Sequence, residues 1–197
     1  MKFRFLGTEI YVSFLFSAVI TFVLVTDRSG LAVPTLFAAF IHESGHLLAM
    51  WASGSQPKAI RLIPASVQII RDMPIKKGAD ALISICGPAA NLVVFLSLLG
   101  NYLIFKNEIS FRFAVLNMII AIFNLLPIYG LDGGDLLIIA LSKNGDFYKA
   151  QRTVRIITGT FALAAFCVGV WLCFMGTFNP SVFIIVVYLV ICCTLKY

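Results

Sequence analysis

The chain contains only two histidines, four residues apart in His42-Glu43-Ser44-Gly45-His46. On a helix that spacing is about one turn, so both imidazoles project from one face and can hold a single Zn²⁺. Neutral imidazole nitrogen is a good zinc ligand, and a catalytic site takes a third protein ligand while keeping one position open. Glu43 then stands beside the water at that position as general base. Zinc lowers the pKa of such a water from about 15.7 to about 7, which brings hydroxide within reach at neutral pH. A pair of histidines merely hydrogen-bonded to neighbouring helices is the alternative. It is expensive in mid-membrane, where a central charge such as Glu43 costs on the order of 3 kcal/mol.

The segments that must position these residues are apolar. Of 197 residues, 60% are hydrophobic and 12% charged, and the mean hydropathy is +0.99. A soluble domain needs far more polar surface. The expected architecture is an all-α polytopic membrane protein forming one membrane-embedded domain over 1–197, its catalytic core at about 31–141. Six spans are expected, at 10–26, 31–52, 81–105, 113–126, 156–175 and 181–195, since roughly 20 helical residues cross a hydrocarbon core. The first follows Lys2 and Arg4 as a signal peptide would. It lacks a small-residue cleavage site, however, and is read as a retained helix. The five cysteines (Cys86, Cys167, Cys173, Cys192, Cys193) all fall in apolar segments without metal-type pairing. They are expected to be buried free thiols.

The net charge of +6 is explained by topology rather than by nucleic acid. With the N-terminus in the cytosol, twelve of the fifteen Lys and Arg residues lie on that side, leaving Arg28, Lys106 and Arg112 outside. Ser44 is eight residues from the cytosolic end of its span at Ala52, or about 12 Å. The metal therefore sits inside the membrane slab, toward the cytosolic side. In the loop 53–78, residues 59–63 and 66–70 alternate apolar and polar around Pro64-Ala65, as a short β-hairpin would. An irregular interfacial loop is the other reading.

A third ligand must come from another segment. Of the eight acidic residues besides Glu43, Asp27 and Glu108 fall outside, while Glu9, Asp72, Asp80 and Asp146 flank spans or lie in cytosolic loops. Asp132 and Asp135 remain, in a stretch where Pro127, Gly130, Gly133 and Gly134 break the fourth helix. Irregular backbone at membrane depth is tolerated where it is buried in protein or lines a wet cavity. Asp132 is favoured, because its glycine neighbours allow close backbone approach, and Asp135 is the fallback.

Together, H-E-x-x-H at His42–His46, G-P-x-x-N at Gly87-Pro88-Ala89-Ala90-Asn91 and N-x-x-P with L-D-G at Asn124 to Gly133 resemble the site-2 protease family of intramembrane zinc metalloproteases. The compact bacterial branch that includes a sporulation-factor protease is the most similar in size and layout. The resemblance implies one Zn²⁺ per chain on His42, His46 and Asp132, with Glu43 as catalytic base. It implies polar support near the substrate or metal from Asn91 and Asn124, and either Asn124 or Tyr129 can donate a hydrogen bond to the oxyanion. Tyr129 departs from the family, which often has a second proline at that position, and no accessory regulatory module is expected. The implied activity is hydrolysis of peptide bonds in transmembrane or membrane-associated protein substrates, in a bacterial cell membrane, with both termini cytosolic and an unidentified membrane regulator. A helical substrate must unwind to expose its carbonyl, and a strand edge within 59–70 can capture it by β-addition. A catalytically silent membrane scaffold on the same fold is the rival from another class. Loss of Glu43 would have marked it, and Glu43 is present. A zinc transporter would need a chain of polar residues across the membrane, which the sequence lacks.

Overall fold

The computed structural model describes residues 2–5, 8–55, 57–63, 66–71, 77–176 and 180–194. Contacts divide the chain into two compact units, Met1–Phe123 and Asn124–Tyr197.

The first unit begins with β1 (Lys2–Phe5) and β2 (Thr8–Val12). Two helices follow, α1 (Phe14–Thr26) and α2 (Ala32–Ala52). Then come β3 (Pro57–Ile63), β4 (Ser66–Arg71), α3 (Lys77–Phe105) and α4 (Glu108–Asn124). The strands form one sheet in the order β1-β2-β3-β4. Its outer pairs are antiparallel, and β2 runs parallel to β3 with Glu9 opposite Ala59 and Val12 opposite Leu62. Parallel neighbours need a long crossover, and here α1 and α2 supply it. The crossover returns the histidine-bearing helix to the sheet, and the Ser13 N–H donates to the Leu62 carbonyl at 3.0 Å where β2 gives way to α1.

The hairpin expected in the loop 53–78 is present as β3 and β4, with Ile63 opposite Ser66, while its turn at Pro64-Ala65 lies outside the described residues. It is half of a larger sheet. Residues 10–12, expected to open the first span, are in β2, so α1 starts at Phe14 and is 13 residues long. Ile10, Tyr11 and Val12 are β-branched or aromatic and suit a pleated surface, and their partners Ile60 to Leu62 lie some fifty residues on.

No residue of α1 is buried, and Phe14 and Val25 are 88% and 79% exposed. Such continuous apolar surface is what a bilayer covers. Two helical stretches, Gly78–Phe105 and Phe147–Phe174, are by length and apolarity sufficient to cross a membrane, and α1 is a shorter apolar helix. α2 has 21 residues but carries both histidines and Glu43. It packs along α3 through small residues. A Cβ on Gly45 would overlap the Cys86 carbonyl and approach Ala90 Cβ to 2.9 Å, so glycine sets how closely these helices meet.

In the second unit the chain leaves α4 at Asn124 and becomes helical again in α5 (Asp132–Leu141). A 3₁₀ turn (Ser142–Asn144) leads to α6 (Phe147–Phe174), and α7 (Pro180–Thr194) follows. The interval between Asn124 and Asp132 is the helix break expected from Pro127 and Gly130. Ile128 N–H bonds the Leu126 carbonyl at 2.7 Å, and Leu131 N–H bonds the Ile128 carbonyl at 3.1 Å. Gly130, with φ +90°, occupies the third position of that last turn, where a type II turn needs positive φ. Ile128 and Leu131 pack with Ala162 and Leu189 in one core cluster, and Tyr129 with Ile138, Ala150 and Val154 in another. All five cysteines are free. Cys192 is buried as expected, but Cys167 and Cys173 are exposed on α6, where an outward apolar face accepts a thiol as readily as a core does.

Candidate metal centre

α2 presents His42 and His46 one turn apart, 5% and 8% exposed. Their rings lie nearly perpendicular, at 84°, with centroids 4.8 Å apart. α3 fixes both from behind. His46 Nδ1 is 2.8 Å from the Ile83 carbonyl, which can only accept, so Nδ1 carries the proton and the Nε2 lone pair points away. His42 Nδ1 is 3.0 Å from Asn91 Oδ1. The orientation of that amide follows from its other partners, because Asn91 Nδ2 donates to the Ala38 carbonyl and to Asn117 Oδ1, both at 2.9 Å. His42 Nδ1 is therefore also the protonated nitrogen. The two unprotonated Nε2 atoms face each other at 3.2 Å. Two lone pairs at that distance repel unless a proton or a cation lies between them. Two nitrogens each about 2.0–2.1 Å from one tetrahedral zinc are separated by about 3.3 Å, so the pair fits zinc as it stands.

Gly87, in the G-P-x-x-N motif, makes room for this arrangement. A Cβ there would fall on the imidazole of His46. Asn91 is wholly buried against His42, as is Asn117, whose Nδ2 donates to the Phe113 carbonyl at 2.9 Å. Asn117 was not among the residues expected from sequence. The available signal was an amide in the middle of an apolar segment, where a polar group needs a partner. Glu43 follows His42 directly and is half-buried, and Ser44 Oγ donates back to the Phe40 carbonyl at 2.7 Å.

In the second unit Asp132 is half-buried in the first turn of α5 and Asp135 is exposed. Gly133 and Gly134 let that turn press onto the preceding loop. A Cβ on either would overlap the carbonyls of Leu125 and Leu126 or of Ile128. Asn124 is half-buried at the last residue of α4. Tyr129 is 4% exposed and held by α6. Its N–H donates to Thr158 Oγ1 at 2.8 Å, and its hydroxyl accepts from Gln151 Nε2 at 3.3 Å and Arg155 Nη2 at 3.2 Å. Thus the first unit brings together His42, His46 and Asn91, and the second carries Asp132, Asn124 and Tyr129 on one loop and its flanks.

Residues 104–168 match the family model described as Peptidase family M50. A zinc metalloprotease of Methanocaldococcus jannaschii is 25% identical over 173 residues, covering 82% of this chain and 51% of that protein. Stage IV sporulation protein FB of Bacillus subtilis is 26% identical over 174 residues, covering 85% of this chain and 59% of that protein. The chain thus spans about half the length of the curated relatives it matches. In fold it is similar to the site-2 protease from Methanocaldococcus jannaschii, with a TM-score of 0.74, 22% identity, and coverage of 98% of this chain and 93% of that one. In its motifs and its relatives in sequence the chain is similar to zinc metalloproteases of the site-2 protease kind, and in fold it is similar to a solved site-2 protease.

Proposed function

We propose that the chain is an intramembrane zinc metalloendopeptidase that hydrolyses peptide bonds of transmembrane or membrane-associated protein substrates. The observation that carries this reading is the convergence of two buried Nε2 lone pairs at 3.2 Å, each aimed by a partner on the far side of its ring. With Asp132 as the third ligand, as the sequence motifs imply, His42 and His46 complete a donor set of the two-nitrogen, one-oxygen kind used at catalytic zinc. One zinc per chain follows.

Zinc, when bound, supplies Lewis acidity that polarises a carbonyl and eases deprotonation of water. Glu43 accepts the proton of the attacking water and returns it to the leaving amine, a role that needs a carboxylate within one hydrogen bond of the water. Asn91 holds His42 in the tautomer that keeps its Nε2 lone pair available. Asn124 through its side-chain amide, or the Tyr129 hydroxyl, which accepts from Gln151 and Arg155 and keeps its own proton to donate, stabilises the developing oxyanion. The unwound substrate segment pairs with β4, which ends the sheet, by strand addition. The enzyme works in a bacterial cell membrane with both termini cytosolic and the site toward the cytosolic side.

Metal analysis of purified protein tests the assignment. Wild type and Asp135→Ala should each carry close to one zinc per chain, while His46→Ala and Asp132→Ala lose most of it. Stoichiometric zinc in Asp132→Ala removes that residue from the ligand set.

A further inference from the structure

Tyr129 stands at the second position of the Ile128–Leu131 turn, where proline is favoured because its ring presets φ near −65°. Tyrosine provides no such preset, but it keeps an N–H that proline lacks. That N–H is used: it donates to Thr158 Oγ1 at 2.8 Å, and Thr158, wholly buried, donates in turn to the Val154 carbonyl at 2.9 Å. The far end of the side chain is gripped as well. The Arg155 guanidinium lies 4.6 Å from the Tyr129 ring centroid and donates to its hydroxyl alongside Gln151. Gln151, Arg155 and Thr158 are spaced four and three residues apart, so they line one face of α6. Arg155 forms no ion pair among the described residues, and its buried Nε has no hydrogen-bond partner there. A half-buried guanidinium without a counter-charge is costly, and its two visible uses, ring and hydroxyl, are both on Tyr129.

We propose that this face of α6 is a clamp that sets the turn preceding Asp132 and thereby aims the Asp132 carboxylate, with Thr158 and Arg155 as positioning residues acting through Tyr129. Only Gly130 and Leu131 separate Tyr129 from Asp132, and Gly133 and Gly134 seat the first turn of α5 on the backbone of the same loop. A shift at Tyr129 is therefore passed to the carboxylate rather than absorbed. Metal–ligand distances tolerate only about 0.2 Å, and loss of groups that orient ligands typically lowers metal affinity by about 10–100-fold.

The inference rests on the zinc reading, and the experiment separates the two. Zinc affinity of the full chain in detergent is measured by competition with a chromophoric chelator, alongside thermal unfolding of the metal-free protein. Thr158→Val, isosteric but without the acceptor, should weaken zinc binding about 10-fold or more, and Thr158→Ser should restore it to within a few-fold of wild type. Arg155→Met should act in the same direction. In a Tyr129→Pro background there is no N–H to accept, so Thr158→Val should have no further effect on affinity. An equal loss in both backgrounds overturns the clamp. So does an unchanged zinc affinity in Thr158→Val, including one whose metal-free protein is less heat-stable. Wild-type protein that takes up no zinc overturns the zinc reading and the clamp together.

Discussion

Gly87→Ala is expected to abolish tight zinc binding although residue 87 is not a ligand. A Cβ at this position would lie 2.5 Å from Cε1 and 2.9 Å from Cδ2 of His46. Ordinary carbon contacts sit at about 3.5–4.0 Å, so the ring must retreat by about 1 Å or α3 must move away from α2. Both responses break the geometry. The ring is tied through Nδ1 to the Ile83 carbonyl on the same helix that carries Gly87, and Gly45 already brings the α2 backbone against Cys86 and Ala90. A displacement of about 1 Å is several times the tolerance of about 0.2 Å for metal ligands. The expected loss of zinc affinity is at least about 10–100-fold, and overpacking destabilises the metal-free protein by about 1–3 kcal/mol. Gly100→Ala is the control. It lies on the same helix with no atom within 4 Å of the new methyl group and should be neutral or stabilise by up to about 1 kcal/mol. Chelator competition and thermal unfolding of both variants give the comparison. Wild-type zinc affinity in Gly87→Ala would refute the claim that this glycine makes room for the His46 ring.

Asn91→Leu removes the acceptor that fixes the His42 tautomer and should lower zinc affinity by about 10–100-fold, read by the same competition assay. Asn117→Leu should have a smaller effect that largely disappears in the Asn91→Leu background, because Asn117 reaches the histidine only through Asn91. For orientation, a cysteine introduced at position 107 should be labelled from outside the cell, and one in the loop 53–78 only by reagents that reach the cytosol. The reverse pattern would invert the assigned topology.

Much of the site was legible because its chemistry is local. The spacing of His42 and His46 on one helix face needs no tertiary knowledge, and the break after Asn124 is written in Pro127 and Gly130. The N-terminal strands were not legible. Ile10 to Val12 run without a charge into the apolar α1, and what makes them a strand is a partner some fifty residues later in β3. Asn117 was missed for a related reason. An amide in an apolar segment signals a hydrogen bond without naming its partner, and that partner, Asn91, sits 26 residues earlier on another helix. The role of Gly87 is visible only where a ring from α2 fills the space its missing side chain leaves. Tyr129 stood out in sequence as a departure from a family proline, and the hydrogen bond its N–H makes to Thr158 gives that departure a physical meaning.

Glu43→Gln tests the central claim most directly. The amide keeps the size of the side chain and leaves both histidines free to bind metal, but it cannot accept the proton of the attacking water. Zinc content should stay near one per chain, while cleavage of a co-expressed single-span membrane substrate falls at least about 100-fold, the lower end of general-base contributions. Zinc lost together with activity would make Glu43 a ligand or a structural group, and undiminished cleavage with zinc retained would contradict its assignment as the base.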